Sequence, residues 1–218
     1  MSSSVRLIVF GRQGAGKGTQ CALLTEHYSI PHISTGDMLR AAVASGTEFG
    51  MAAKAVMDAG GLVSDDIMKG IVADRLREPD AETGWLLDGF PRTPQQAEDL
   101  ADVASPSFDL AVNIEVPEDV VRERILNRRV CQSCGTTYSV GQESADTGVC
   151  GKCGGVVVQR ADDTPESVDK RLSLYVQQTA PLLQWFEERG MLINVDGVGE
   201  PVAISKSIIA AVEEFLST

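Results

Sequence analysis

Short apolar runs alternate along the chain with longer segments in which apolar residues recur at helical spacing. Four of these runs predict buried strands, at residues 6–10, 85–88, 110–116 and 191–195. Helical patterns separate them, at residues 19–27, 38–45, 50–58, 65–77, 117–129, 165–189 and 201–216. Because strands that alternate with helices form parallel sheets with helical crossovers, the pattern predicts an α/β fold with a parallel sheet flanked by helices. Residues 130–160 interrupt it with cysteines, glycines and short β-like runs, which indicates an insertion.

A glycine-rich loop, residues 11–18, connects the first predicted strand to the next helix. It has the pattern G-x-x-x-x-G-K followed by Gly-Thr, which is a phosphate-binding (P-loop NTPase-type) sequence. The glycines allow backbone N–H groups to surround an anion, and Lys17 would contact the terminal phosphates of a nucleotide. The predicted ATP-binding residues here are Gly14, Ala15, Gly16, Lys17, Gly18 and Thr19, with Thr19 also placed to help hold Mg2+.

The alternative for this segment is a glycine-rich turn that includes a lysine by chance. The strand before it and the helix after it favour the phosphate loop. The motif alone indicates a nucleoside triphosphate site and does not separate a kinase from a GTPase or an ATPase.

Four cysteines within the insertion have metal-ligand spacing. Cys131-x2-Cys134 and Cys150-x2-Cys153 form two pairs separated by 15 residues, the spacing of two zinc knuckles. Tetrahedral thiolate coordination suits Zn2+ best, with Fe2+ or Co2+ as possible substitutes. The alternatives are two disulfides or four free thiols. Four protein ligands would leave no open position, so the predicted site is structural, whereas Cys21 is interpreted as a core residue.

Two further segments are similar to the signature pair of adenylate kinases, and the resemblance extends from residue 7 to about residue 216. These segments are P-H-I-S-T-G-D-M-L-R at 31–40 and L-L-D-G-F-P-R-T at 86–93. The resemblance implies a P-loop core with a helical NMP-binding insertion and a small β-rich metal-binding lid. The implied divisions are core at 1–33, 64–129 and 162–218, NMP-binding insertion at 34–63, and lid at 130–161.

The resemblance also implies a role for individual residues. Asp88 would lie near Mg2+, and Gln96 would offer its carboxamide to the adenine edge of AMP. Arg124 and Arg128 are four residues apart, which would place them on one helix face; Arg124 would also bind ATP. The implied catalytic residues are Lys17, Asp88, Arg92, Arg124, Arg128, Arg160 and Arg171. The implied AMP-binding residues are Thr35, Gly36, Arg40, Leu62, Val63, Gly89, Arg92, Gln96, Arg160 and Arg171.

The implied activity is that of a nucleoside monophosphate kinase, a phosphotransferase of nucleotide homeostasis that converts ATP and AMP to two ADP. Transfer would be direct, in line and Mg2+-dependent under a closing lid, where arginines stabilise charge spread over phosphoryl oxygens. Three alternatives remain: a kinase for UMP, CMP or GMP; a zinc-ribbon binding module on an inactive nucleotide fold; and a nucleotide-sensing regulator without turnover. Gln96 argues against the first, the charge against the second, and the arginine set against the third.

Charge and composition restrict the partners. The net charge of -12 argues against nucleic-acid and anionic-membrane binding, because phosphate surfaces repel such a protein. The sequence contains no apolar run of 18 residues, and the short apolar stretch after Met1 contains Arg6, so neither a membrane span nor a signal peptide is predicted. We therefore expect a cytoplasmic protein, and the resemblance implies a monomer.

Overall fold

Five parallel strands form the central sheet of the computed structural model, which describes residues 4–46, 51, 53–54, 63–104 and 107–217. A second, antiparallel sheet of three strands lies in the segment that contains the cysteine pairs. In chain order the strands are β1 (Arg6–Phe10), β2 (His32–Ser34), β3 (Trp85–Asp88), β4 (Leu110–Glu115), β5 (Arg128–Cys131), β6 (Thr137–Ser139), β7 (Val157–Val158) and β8 (Leu192–Asp196). The order is β2-β3-β1-β4-β8 in the parallel sheet and β6-β5-β7 in the small one.

Helices cover both faces of the parallel sheet. They are α1 (Lys17–Tyr28), α2 (Thr35–Ala44), α3 (Asp65–Leu76), α4 (Pro94–Val103), α5 (Glu118–Leu126), α6 (Glu143–Thr147), α7 (Pro165–Leu174), α8 (Ala180–Glu187) and α9 (Pro201–Leu216). A 3-10 turn occupies Pro79–Ala81, and a π-helix, Tyr175–Thr179, joins α7 to α8. Within the described residues no helix has both the length and the apolar character that crossing a membrane requires.

The core consists of two apolar layers, one on each side of the sheet. Successive side chains of a strand face opposite sides, so Leu7 and Val9 of β1 pack in one layer and Ile8 and Phe10 in the other. The first layer is completed by α1, α5, α7 and α9, and the second by α3, α4 and α8. Because both faces are buried, the strands read as nearly continuous apolar runs, as the sequence predicted.

Side-chain caps fix where two of the helices begin. The Ser34 hydroxyl accepts a hydrogen bond from the backbone N–H of Asp37 at 3.3 Å, which starts α2 directly after β2. The Thr93 hydroxyl accepts from the backbone N–H of Gln96 at 3.2 Å and starts α4. Each cap satisfies a helix N–H that has no partner within the helix. Helix α2 therefore begins directly after β2, and α4 begins after the short loop that follows β3.

The four predicted strands are confirmed within one residue at each end, but β2 was missed. With three residues, β2 is too short to show a hydrophobic period, and it lies at the edge of the sheet. The predicted helices 65–77 and 201–216 correspond to α3 and α9. The predicted helix 50–58 falls largely outside the described residues.

The predicted helix 117–129 is too long, which corrects the placement of one arginine. Helix α5 ends at Leu126, and Arg128 is the first residue of β5. Strand β5 pairs with β6 and β7, so sheet hydrogen bonds replace the helical ones from Arg128 onward. Arg124 and Arg128 consequently do not share a helix face.

The predicted helix 165–189 is interrupted at its centre. Five residues form a π-helix before α8 begins at Ala180. Pro181, the second residue of α8, lacks an N–H and its ring would collide with the carbonyl four residues earlier in a continuous α-helix. The wider π turn removes that collision, and α7, the π-helix and α8 follow one another without a break.

Candidate active site

A cleft of about 890 Å3 lies at the carboxyl end of the parallel sheet, where β1 and β3 end. This is the edge at which open α/β sheets bind ligands. Every predicted nucleotide-binding or catalytic residue that the structure describes lines it, whereas Leu62 lies outside the described residues. These residues are Gly14, Ala15, Gly16, Lys17, Gly18, Thr19, Thr35, Gly36, Arg40, Val63, Asp88, Gly89, Arg92, Gln96, Arg124, Arg128, Arg160 and Arg171.

The phosphate loop has a backbone conformation that requires glycine. Gly14 and Gly16 have φ angles of 83° and 93°, in the region that side chains disfavour. At Gly14 there is also no space, because a Cβ would lie 2.6 Å from the carbonyl oxygen of Val121 and 2.8 Å from a side-chain carbon of Ile125. The loop thus packs directly against α5. It leads into α1, so its backbone N–H groups lie at the N-terminal end of that helix.

Lys17 and Asp88 form the charged floor of the cleft. The ammonium of Lys17 donates to the carbonyl oxygens of Gly11 at 2.8 Å and Arg12 at 3.1 Å. Burial lowers the pKa of Lys17, and the nearby Asp88 carboxylate offsets part of that effect. Burial would raise the pKa of Asp88, but the imidazole of His32, whose Nε2 is 3.6 Å away, and the charge of Lys17 outweigh it and lower the pKa. Asp88 is therefore a carboxylate at neutral pH, which suits contact with Mg2+ directly or through water.

Six arginines line the same cleft: Arg40, Arg92, Arg124, Arg128, Arg160 and Arg171. Within the described part of the chain, the guanidinium group of Arg160 has neither an ion-pair nor a hydrogen-bond partner, although its backbone carbonyl accepts from the N–H of Asp163 at 3.1 Å. Burial lowers the pKa of Arg160 to about 10, and the charges of Arg128 and Arg40 add to the effect. So many cations facing one cleft, in a chain with a net charge of -12, indicate a polyanionic ligand.

Acceptors within the protein orient the other five arginines. Three acceptors are carboxylates and two are backbone carbonyls, so these guanidinium groups are already positioned around the cleft. Arg40 pairs with Asp37, Arg92 donates to the Gly89 carbonyl at 2.9 Å, Arg124 to the Gly197 carbonyl at 3.2 Å, Arg128 pairs with Asp163, and Arg171 pairs with Asp162.

Thr35 and Gly89 pack against each other on the side of the cleft predicted to bind the monophosphate. The Thr35 hydroxyl donates to the backbone carbonyl of Asp88 at 3.3 Å. Gly89 has a φ of 87°, and a Cβ there would lie 2.6 Å from the Thr35 hydroxyl oxygen. A larger residue at 89 would separate α2 from the end of β3, so glycine holds the two walls together.

Gln96 lies in the first turn of α4 and is only 2% exposed. Its carbonyl oxygen accepts from the backbone N–H of Arg92 at 2.7 Å, and its amide nitrogen donates to Oδ1 of Asp65 at 2.5 Å. A carboxamide has two N–H donors and two acceptor lone pairs, so one of each remains after these contacts. The group predicted to contact adenine is thus oriented by the protein before any ligand binds.

The four cysteines at positions 131, 134, 150 and 153 converge as their spacing predicted. Their Sγ atoms lie within 4.8 Å of one another, with Cys131 to Cys153 at 3.5 Å and Cys134 to Cys150 at 3.6 Å. A disulfide needs about 2.05 Å, whereas sulfurs around a tetrahedral Zn2+, at about 2.3 Å from the metal, lie about 3.8 Å apart. The four cysteines can therefore hold a metal ion.

The two knuckles have matching backbone turns. The N–H of Gly135 donates to the carbonyl of Cys131 at 3.0 Å, and the N–H of Gly154 donates to that of Cys150 at 2.8 Å. The Tyr138 hydroxyl, 3.1 Å from the Cys150 sulfur, lowers the pKa of that thiol to about 6. Ionised thiolate is the form that binds metals, so this contact favours the ligand state of Cys150.

Several residues of the site had no role assigned from the sequence. His32 contacts Asp88 because β2 pairs with β3 in the parallel sheet, and the missed strand concealed that contact. Asp65 anchors Gln96 from another helix, and the Gly197 carbonyl orients Arg124. Each of these contacts joins segments that are remote in the sequence, and no local sequence motif indicates such a contact.

Comparisons with known proteins identify the family. The family model described as Adenylate kinase matches residues 9–191. An adenylate kinase of Desulfitobacterium hafniense (strain DSM 10664 / DCB-2) is 48% identical over 213 residues, covering 96% of this chain and 98% of the relative. An adenylate kinase of Geobacillus sp. (strain WCH70) is 48% identical over 197 residues, covering 88% of this chain and 91% of the relative. One of Staphylococcus aureus (strain Mu50 / ATCC 700699) is 45% identical over 209 residues, covering 94% of this chain and 97% of the relative.

The matched region contains the phosphate loop, the arginines of the cleft and the four cysteines. The match includes the end of β1, all of β2, β3 and β4, and the whole of the small antiparallel sheet. The chain belongs to the adenylate kinase family.

Proposed function

We propose that this chain transfers the terminal phosphoryl group of ATP directly to the phosphate of AMP and so forms two ADP. The observation that carries this proposal is the convergence of Lys17 and six arginines on one cleft beside a phosphate loop. A donor triphosphate and an acceptor monophosphate together bring several negative charges, which this set of cations can neutralise. The family membership of the chain supports the same reaction.

The two nucleotides would occupy opposite sides of the cleft. The phosphate loop and Arg124 would bind ATP. The AMP side would be built from residues of β2, α2 and the segment between β3 and α4. The proposed AMP-binding residues that line the cleft are Thr35, Gly36, Arg40, Val63, Gly89, Arg92, Gln96, Arg160 and Arg171, and Leu62, outside the described residues, completes the proposed set. This arrangement would place the two phosphate chains between the arginines.

In this mechanism an oxygen of the AMP phosphate attacks the terminal phosphorus of ATP in line with the bond that breaks. The attacking group belongs to the substrate, so the protein needs no nucleophile of its own. Lys17, Arg92, Arg128, Arg160 and Arg171 would stabilise the charge that spreads over the transferred oxygens. Bound Mg2+ would neutralise phosphate charge, and Asp88 would hold its hydration shell, a role that its ionised state at neutral pH supports.

The cysteine unit, which we define as residues 128–158, would act as the lid. Thr136, strand β6 and Lys152 line the cleft, so the unit would border the bound phosphates. Closing it would keep water away from the reacting group and so prevent hydrolysis of ATP. We propose Zn2+ for its metal, held by Cys131, Cys134, Cys150 and Cys153, with Fe2+ or Co2+ as substitutes. Residues 34–63 would form the NMP-binding insertion, and the lid as a whole would comprise residues 130–161, which contain the cysteine unit except for Arg128 and Arg129.

The net charge also supports the proposed partners. A charge of -12 opposes binding to nucleic acids and to anionic membranes. The family membership supports ATP, AMP and ADP as the partners. We further propose a monomer in the cytoplasm. Sedimentation at micromolar concentration would report a mass near 23.2 kDa for this state.

A coupled assay for ADP tests the proposal with AMP, CMP, UMP and GMP as acceptors. We expect strong Mg2+-dependent turnover with AMP and a loss of roughly 100-fold or more in kcat for Lys17→Met, because a buried charge at the phosphates is removed. Lys206→Met, which changes an exposed lysine of α9, is the matched control and should retain activity. Absence of turnover with every acceptor would refute the proposal, and preference for another monophosphate would refute the role of Gln96.

A further inference from the structure

Two contacts fix the direction in which the Gln96 carboxamide faces. Its oxygen accepts from the backbone N–H of Arg92 at 2.7 Å, and its nitrogen donates to Asp65 at 2.5 Å. A backbone N–H can only donate, and a carboxylate can only accept. Rotation of the carboxamide by 180° would place N–H against N–H and oxygen against oxygen, so both contacts would become repulsive.

We infer that Asp65 is a specificity-determining positioning residue, which sets the polarity of Gln96 toward the acceptor base. The inference rests on the proposed contact between Gln96 and AMP. Asp65 is the first residue of α3, and Gln96 lies in the first turn of α4. The Thr93 hydroxyl also accepts from the backbone N–H of Gln96, so main chain and side chain are both held.

The fixed polarity has a chemical consequence for the base. After the two anchors, Gln96 has one N–H donor and one oxygen lone pair left. Adenine presents an acceptor at N1 and a donor at its 6-amino group, which complement that pair. Hypoxanthine and guanine present a donor at N1 and an acceptor at O6, which is the reverse arrangement. A carboxamide that rotated freely would accommodate either arrangement, whereas an anchored one accepts only the first.

Asp65 is the anchor that substitution can test. The other anchor is a backbone N–H, which a side-chain change does not remove. Gln96 is 2% exposed, so water does not readily replace a lost partner on its inner side, but Asp65 itself is at the surface. Removing the carboxylate therefore leaves one anchor and admits water to the outer side of the amide. The amide can then turn toward the reverse arrangement.

The experiment compares kcat/KM for AMP with kcat/KM for IMP, which carries hypoxanthine and has nearly the same shape as AMP. We expect Asp65→Ala to lower the AMP-to-IMP ratio about tenfold or more, since an unanchored site rejects the reverse polarity less strongly. Most of the change should fall on KM, because the arginines and Lys17 are untouched. Asp66→Ala is the matched control: it removes the neighbouring carboxylate from the same first turn of α3 and should leave the ratio unchanged.

The ratio responds to base polarity, whereas partial unfolding lowers both rates together and leaves it unchanged. Gln96→Ala separates the inference from the proposal beneath it. If Gln96→Ala lowers the ratio and Asp65→Ala does not, the inference about Asp65 is overturned while the contact of Gln96 with AMP stands. If Gln96→Ala leaves the ratio at the wild-type value, the proposed role of Gln96 fails and the inference fails with it. An equal decrease of the AMP-to-IMP ratio in Asp66→Ala and Asp65→Ala would also overturn the inference about Asp65.

Discussion

Arg128 and Asp163 form a two-point ion pair that joins the cysteine unit to the core. Nε of Arg128 lies 2.9 Å from Oδ2 of Asp163 and Nη2 lies 2.5 Å from Oδ1, while the Asp163 side chain has no exposed surface. The amide of Gln13, in the phosphate loop, lies 3.5 Å from the same carboxylate. One buried carboxylate thus contacts both the phosphate loop and the first strand of the small sheet.

The first prediction concerns this pair. Asp163→Asn keeps the shape of the side chain but leaves Arg128, whose side chain is 14% exposed, without a counter-charge. We expect the free energy of unfolding to fall by about 3 kcal/mol, since breaking a buried pair leaves an uncompensated charge. Urea unfolding monitored by circular dichroism measures the change.

Asp169→Asn is the control for that prediction. Asp169 pairs with Arg122 on the surface, where the two side chains are 58% and 40% exposed. Exposed pairs contribute about 0–1 kcal/mol, so the control should lose little stability. Similar losses in both variants would show that the Asp163 pair has no special structural importance.

The second prediction separates steric exclusion from backbone strain in the phosphate loop. Gly14→Ala requires a Cβ 2.6 Å from the Val121 carbonyl oxygen in addition to a φ of 83°. Gly46→Ala has a similar φ of 64° but open space around the Cβ. We expect about 1 kcal/mol of destabilisation for Gly46→Ala, from strain alone, and several-fold more for Gly14→Ala. Thermal unfolding of both variants measures the difference, and equal losses would exclude the steric explanation.

Features encoded by neighbouring residues could be predicted from the sequence. The phosphate loop and the cysteine pairs are local patterns, since each depends on residue types at fixed spacing within a few turns. The four long strands were also predictable, because each is an apolar run buried on both faces of the sheet. The arginines of the cleft were identified through resemblance, and the structure places them together.

Contacts between remote segments could not be predicted from the sequence. Asp65 and Gln96 are 31 residues apart, and their hydrogen bond depends on how α3 packs against α4. Arg128 and Asp163 are 35 residues apart, and Arg128 was predicted to lie in the helix 117–129, whereas it begins β5. Arg128 is opposite Ser139 of β6, and this strand pairing, a tertiary interaction, decides its conformation.

The third prediction concerns the metal. Removing it with a chelator should lower the thermal stability of the cysteine unit while the parallel-sheet core stays folded, because the unit has only a small apolar cluster of its own. Metal content per chain and calorimetry measure the two effects. Cys134→Ser should lower the bound metal, whereas Lys206→Met, a change at an exposed lysine of α9, should leave the metal content at the wild-type value. Unchanged melting after metal removal would contradict a structural role.

The fourth prediction is the pH dependence of the Asp162–Arg171 pair. Burial would raise the pKa of Asp162, but the hydrogen bond and charge of Arg171 outweigh it, so the folded-state pKa is lowered. The unfolded chain has a pKa of about 3.9 for this group and therefore binds more protons than the folded chain just below that pH. The stabilisation is present above the unfolded pKa and is lost as the pH falls through the folded pKa.

Asp162→Asn removes this carboxylate and tests the sign. At pH 7 we expect the variant to be less stable by about 1–3 kcal/mol, the contribution of a hydrogen bond between charged groups. As the pH falls from 5 toward 2, wild-type stability should decrease more steeply than that of the variant, because only the wild type loses this pair. The two urea-unfolding free energies should therefore converge in acid. A constant difference between Asp162→Asn and wild type down to pH 2 would show that Asp162 does not titrate with a lowered pKa.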